Sequence, residues 1–297
     1  MSSIAVHEVA DAASGPYSVA CTPDGAVWVS LVNGAAVVRL APSTRDASTI
    51  PLGDGAQPSQ LAPAGDDSVW VTDTARDQVL LVGPTGVIRS FAAPSAGAQP
   101  FGIAAVHDGS AWFTGVGNDS LGRIGILGEV TEFAAGTHDG MVSMIAASGD
   151  SLWFTANSAN AVGYVRGGDS APLLIELPTP DAGPVGIAVG DDGAAWFCEI
   201  LAGAIGRVDR RGAVTEFALP DRASKPHAIA ADPAGGGCWF TLWGSDQLAR
   251  ITLDGAFSAP FIDLAPSGHT EPHGVAVGAD GTVWVAMESG ALLAVTA

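Results

Sequence analysis

Two histidines, two glutamates and a tryptophan in the C-terminal third of this 297-residue chain could carry out acid–base and metal chemistry together. Glu271-Pro272-His273 sets a carboxylate two residues before an imidazole, and Glu288 follows fifteen residues after His273. Imidazole suits proton removal near neutral pH. Paired carboxylates offer the hard oxygens that a divalent ion prefers. His227 and Trp243 lie 46 and 30 residues before His273. Each has a plainer reading alone: a hydrogen-bonded strand histidine, a solvated loop glutamate, a packing ring. It is their joint occurrence that points to a site.

A symmetric scaffold must bring them together. Tyr17, Ser59, Phe101, Ser143, Val185 and His227 recur at a spacing of 42 residues, and His273 follows at 46. Each sits in a similar phrase, such as Gly-Pro-Tyr-Ser, Gly-Pro-Val-Gly, Lys-Pro-His-Ala and Glu-Pro-His-Gly. A fixed period of this length means one supersecondary unit used seven times. The recurring position becomes histidine only in the last two copies.

Residues 182–220 show the unit. Strands are expected over 186–189, 194–199, 204–209 and 214–219, with turns at Asp191-Asp192-Gly193 and Arg210-Arg211-Gly212. No segment keeps a helical apolar period, so helix-pair solenoids are excluded. Trp28, Trp70, Trp112, Trp153, Trp196, Trp239 and Trp284 fall once per unit in the second strand, as rings packed between sheets would. The expected fold is all-β: one seven-bladed β-propeller domain over residues 1–297, without linkers. Its four-stranded antiparallel blades begin near 15, 57, 99, 141, 183, 225 and 271. The seventh unit runs out after three strands. Residues 2–10, with Ile4–Val9 resembling the fourth strands elsewhere, are expected to complete it and close the ring.

In such a blade the first strand lines the axis, and its start meets the end of the second strand at one mouth. One ring there is the Tyr17-to-His273 series. The other lies four residues after each tryptophan: Val32, Thr74, Val116, Asn157, Ile200, Trp243 and Glu288. Blades six and seven supply the polar groups and the remainder is mostly apolar. A medium-sized amphipathic organic ligand would suit that mouth.

Composition narrows the classes. A formal charge of −19 repels phosphate backbones and anionic membranes, so neither is an expected partner. No apolar run is long enough to span a bilayer, and the N-terminus lacks the pattern of a signal peptide. Cys21, Cys198 and Cys238 show no disulfide or metal spacing and read as small buried hydrophobes. A cytoplasmic monomer is the expectation.

Pro226-His227-Ala228-Ile229, Trp239-Phe240-Thr241-Leu242-Trp243-Gly244, Glu271-Pro272-His273-Gly274 and Trp284-Val285-Ala286-Met287-Glu288 resemble the virginiamycin B lyase family. Gly15-Pro16-Tyr17 and the fifth-blade phrases around Val185 and Glu199 extend that resemblance across the chain. The resemblance implies a seven-bladed lyase that linearises streptogramin B-type cyclic depsipeptides by elimination at the threonine ester bond. It implies Glu271 and Glu288 as ligands of Mg2+, His273 as general base, His227 assisting, and Tyr17 and Trp243 lining the substrate pocket. The family's repeat commonly carries Trp-Phe-Thr-Glu, whose glutamate survives here only as Glu199. Leu31, Asp73, Gly115 and Ala156 take its place in blades one to four, and these changes are expected on the wall opposite the histidines. Two other readings stand beside the lyase: a metal-dependent lactone or ester hydrolase, and a non-catalytic interaction platform.

Overall fold

A computed structural model describes residues 3–65, 67–167 and 171–296. Seven four-stranded antiparallel sheets stand around one axis, each with its strands in chain order from the centre outward except at the closure. The fifth blade has strands Pro184–Val189, Ala195–Glu199, Ala204–Val208 and Val214–Ala218, within two residues of expectation. The sixth blade departs from the pattern. Its outer strand is only Ile262–Asp263, and the short helical turn Ala265–Ser267 follows it. The longer 46-residue interval falls across this segment.

The ring closes through the N-terminal segment. Ser3–Glu8 pairs antiparallel with Ala291–Thr296, from Ser3↔Thr296 to Glu8↔Ala291. The last blade therefore holds three C-terminal strands and one N-terminal strand. Residue 2, included in the expected segment, lies outside the described residues.

The tryptophans wedge the blades apart as expected. Trp28 packs against Val69 and Val71 of the next blade, Trp112 against Leu152 and Phe154, and Trp284 against Val27 and Val29. A flat ring fills the widening gap between two twisted sheets and removes a large apolar area from water. Arginines cover several rings on the cross-strand side, with Arg39 over Trp28 and Arg207 over Trp196. Cys198 and Cys238 are buried, Cys21 is half-buried, and all three are free.

Candidate active site

Every blade begins with the same irregularity. Pro226 pairs with Leu242 and Ile229 with Phe240, so His227 and Ala228 together face the single residue Thr241. The same two-against-one bulge occurs at Tyr17, Ser59, Phe101, Ser143, Val185 and His273. A bulge breaks the ladder locally and re-aims a side chain. Here it turns the recurring residue toward the axis. Proline precedes it in six blades, where no ladder donor is needed.

The structure brings the chemical residues of blades one, six and seven together. The His227 and His273 ring centroids are 4.5 Å apart, nearly perpendicular. The Tyr17 ring is 4.7 Å from His273 and 6.1 Å from His227. It also lies 6.2 Å from Phe101, so it spans the axis toward blade three. The Trp243 ring is 6.4 Å from His273 and carries the Lys225 ammonium 4.9 Å from its centroid.

Burial sets the charge states. It pushes His273 down to about 4. Burial first, and then the neighbouring His273, push His227 down to about 3. Both imidazoles are therefore neutral at pH 7. Burial, with Glu288 adding to it, pushes the Tyr17 phenol up to about 12, so it keeps its proton. His273 Nε2 and Glu288 Oε2 lie 2.9 Å apart. His273 Nδ1 and His227 Nδ1 are buried without hydrogen-bond partners.

Glu271 enters through backbone geometry. It sits at φ 62°, in the left-handed region that glycine favours. Its amide donates to Asp246 Oδ1 at 2.7 Å, and its carbonyl accepts from the Glu288 amide at 3.0 Å. Glu271 is exposed, yet the slight desolvation it does undergo raises its pKa, and the charge of Glu288, a hydrogen bond with Glu288 and then Asp246 raise it further. Two carboxylates this close repel unless a proton or a cation stands between them. Among the described residues no three His, Cys, Asp or Glu side chains converge as a complete cation cage. Mg2+ is commonly held by one or two carboxylates with water and substrate completing the octahedron, so this donor pair fits that ion.

Beside the histidines is an axial cavity of about 330 Å3 lined by Tyr17, Phe101, Met141, Met144, Val185 and His227, among others. His273, Trp243, Glu271 and Glu288 are outside that lining and stand next to it. The apolar wall is real, but one expectation about it is overturned. Leu31, Asp73, Gly115 and Ala156 do not line the cavity. They are buried inside the blades, and Asp73 is held by Arg76, Gln78 and the Gln57 amide. Side chains alternate along a strand, so this position points into the packing between blades and not to the mouth. Glu199 is buried in the same layer, with both carboxyl oxygens unpartnered. Sequence reasoning also missed Met141 and Met144, although both fall in the fourth copy of the recurring phrase. Asp246 went unnoticed too. Its only sequence signal is that Asp77, Asp119 and Asn160 hold the equivalent place and cap the next blade's amides in the same way.

Comparison with known proteins adds to this geometry. The sequence matches the virginiamycin B lyase family over residues 2–295. It is 50% identical over 98 residues to a virginiamycin B lyase of Nocardia farcinica (strain IFM 10152), a stretch covering 33% of this chain and 34% of that protein. The alignment thus spans about a third of that relative. A catalytically inactive variant of virginiamycin B lyase from Staphylococcus aureus, solved with quinupristin, superposes with a TM-score of 0.91 at 30% identity over 100% of both chains. A streptogramin B lyase structure gives 0.91 at 28% identity, over 99% of this chain and 97% of that one. A hydrazine synthase, at 17% identity and a TM-score of 0.80, shares the fold alone. Matched along nearly its whole length, the chain belongs to the virginiamycin B lyase family.

Proposed function

We propose that this protein is a lyase that opens streptogramin B-type cyclic depsipeptides by elimination at the threonine ester. The observation that carries this reading is a neutral, mostly buried His273 in ring contact with His227 and Tyr17, beside a cavity with an apolar far wall. His273 takes the proton from the threonine-derived α-carbon. The released electron pair forms the α–β double bond, the β C–O bond breaks, and the carboxylate departs. No water enters, so substrate and product have equal mass. General-base help of this kind is worth about 10²–10⁴ in rate.

His227, also neutral, acts beside His273 on the bound substrate. Tyr17, Phe101 and the methionines hold the ring of the substrate, and Trp243 flanks it. Glu271 and Glu288 are the residues that would hold Mg2+, which when bound polarises the carbonyl next to the α-carbon. The family membership and the two lyase structures support the substrate class.

Mass spectrometry of quinupristin incubated with the protein, in Mg2+ and in EDTA, tests the proposal. The expected product is linear, of unchanged mass, and forms only with the metal. A product heavier by one water would replace elimination with hydrolysis, the lactone-hydrolase alternative. Absence of turnover would overturn the substrate class. A monomeric state and action on a small-molecule substrate, without nucleic acid or membrane partners, complete the proposal. Among the described residues no helix is long and apolar enough to cross a membrane.

A further inference from the structure

We propose that Thr241 is a positioning residue for the histidine pair, its single hydroxyl tying the strand that carries His227 to the strand that carries His273. Thr241 Oγ1 accepts from the Ala228 amide at 3.0 Å and donates to the His273 carbonyl at 2.8 Å. Ala228 is the second residue of the bulge in strand Pro226–Ala231, where the ladder supplies no partner for its amide. The hydroxyl fills that gap and at the same moment grips the next blade beside its own bulge. The side chain is fully buried, so water does not compete for either bond.

Three other blade joints use the same two-way clasp. Ser30 bridges the Ser18 amide and the Ser59 carbonyl. Thr72 bridges Gln60 and Phe101, and Thr114 bridges Gly102 and Ser143. The two joints that flank the histidine pair have no hydroxyl at this place. Cys198 stands there in blade five and Ala286 in blade seven. His227 and His273 are thus fastened to each other by a clasp that neither shares with its outer neighbour. A base and its partner groups must be held in a near-attack geometry, and small displacements are costly. The inference rests on the lyase reading for its kinetic consequence and on geometry alone for its structural one.

The test compares Thr241→Val with Thr114→Val, which breaks an equivalent clasp away from the histidines, and with Thr241→Ser, which keeps the hydroxyl. Melting temperature, kcat and KM on quinupristin, and the side-chain 15N–1H resonances of His227 and His273 are read for each. Both valine variants should lose melting temperature to a similar degree. Only Thr241→Val should lower kcat, by about 10-fold or more, with KM little changed and both histidine resonances moved. Thr241→Ser should restore kcat. Equal melting losses with wild-type kcat and unmoved histidine resonances in Thr241→Val would overturn the proposal. If Thr241→Val does not fold, Thr241→Cys is read in the same way, since a thiol already fits this place in blade five. If the wild-type protein does not turn over quinupristin, the lyase reading fails. The clasp is then judged on the resonances, which must move in Thr241→Val and stay in Thr114→Val.

Discussion

Glu288 Oε2 and His273 Nε2 lie 2.9 Å apart, while the other nitrogen of that ring is sealed from solvent without a partner. In a neutral His273 the nitrogen facing the Glu288 carboxylate carries the proton and donates it, so the basic lone pair lies on Nδ1, the atom left without a partner. In the proposed reaction the two residues have different tasks, base and metal ligand, and their loss should look different. His273→Ala should lower kcat by about 10²–10⁴, the worth of a general base, with Mg2+ binding retained. Glu288→Gln keeps the shape and a hydrogen-bonding end but removes the charge. It should abolish the rise in melting temperature that Mg2+ confers on the wild type, because a ligand of the folded state stabilises only where it binds. Steady-state kinetics and melts with and without Mg2+ separate these outcomes, and an unchanged rate in His273→Ala would remove it from the base role.

Removal of residues 1–10 should destabilise the whole protein. Six backbone pairings between Ser3–Glu8 and Ala291–Thr296 disappear, leaving the latter as an open sheet edge in the last blade. The expected result is a lower melting temperature and a tendency to associate through the bare edge. A truncated protein that melts like the parent would show that the closing strand is dispensable.

Gly274 follows His273 in the bulge, and a Cβ there would come within 2.4 Å of the Tyr17 carbonyl oxygen. The obstacle is backbone, so it yields only if blade one moves away from blade seven. Gly274→Ala should cost about 1–3 kcal/mol of stability, as overpacking does. It should also raise KM for quinupristin by displacing Tyr17. Thermal unfolding with kinetics on the same preparation checks both effects, and a variant with parental values in both would mean the joint is pliable.

Glu199 makes stability depend on pH. Burial, and to a lesser extent the charge of Glu216, push its pKa up to about 8 from an ordinary 4.5, against the pull of Arg222. The folded state thus holds the proton more tightly than the unfolded chain. The stability tied to the protonated form is complete below pH 4.5 and is lost as pH rises toward about 8. Glu199→Gln, always neutral, should erase that decline. Melting temperatures of parent and variant from pH 5 to 8 should diverge steadily, and parallel curves would show that Glu199 does not carry the effect.

The blades, the wedge tryptophans and the closing strand were legible because each is a repeated pattern, and repetition survives without coordinates. The convergence of Tyr17, His227 and His273 was legible for the same reason, since equal positions in equal blades meet at the axis. The position of Leu31, Asp73, Gly115 and Ala156 was misread. One step along a strand exchanges the axis for the packing between blades: these residues pair with Pro16, Pro58, Pro100 and Val142, each one place before the bulged residue at the strand start. Thr241 stands in an apolar strand, and nothing in its sequence neighbours singles it out. Its role lies in two hydrogen bonds to backbone atoms, and backbone atoms leave no trace in residue identity.

The blade that carries Glu271, His273 and Glu288 is assembled from two distant segments, Ser3–Glu8 and the strands between Pro272 and Thr296. Its strands from Pro272 to Thr296 are made after the other six blades, and their fourth partner, Ser3–Glu8, before them. Pairing of this kind joins residues 293 positions apart at Ser3 and Thr296, and such non-local contacts form late in folding. A nascent or prematurely terminated chain can stack its earlier blades yet lacks all three residues. The proposed chemistry arrives only with the last blade, so on that reading interrupted synthesis yields an inert fragment.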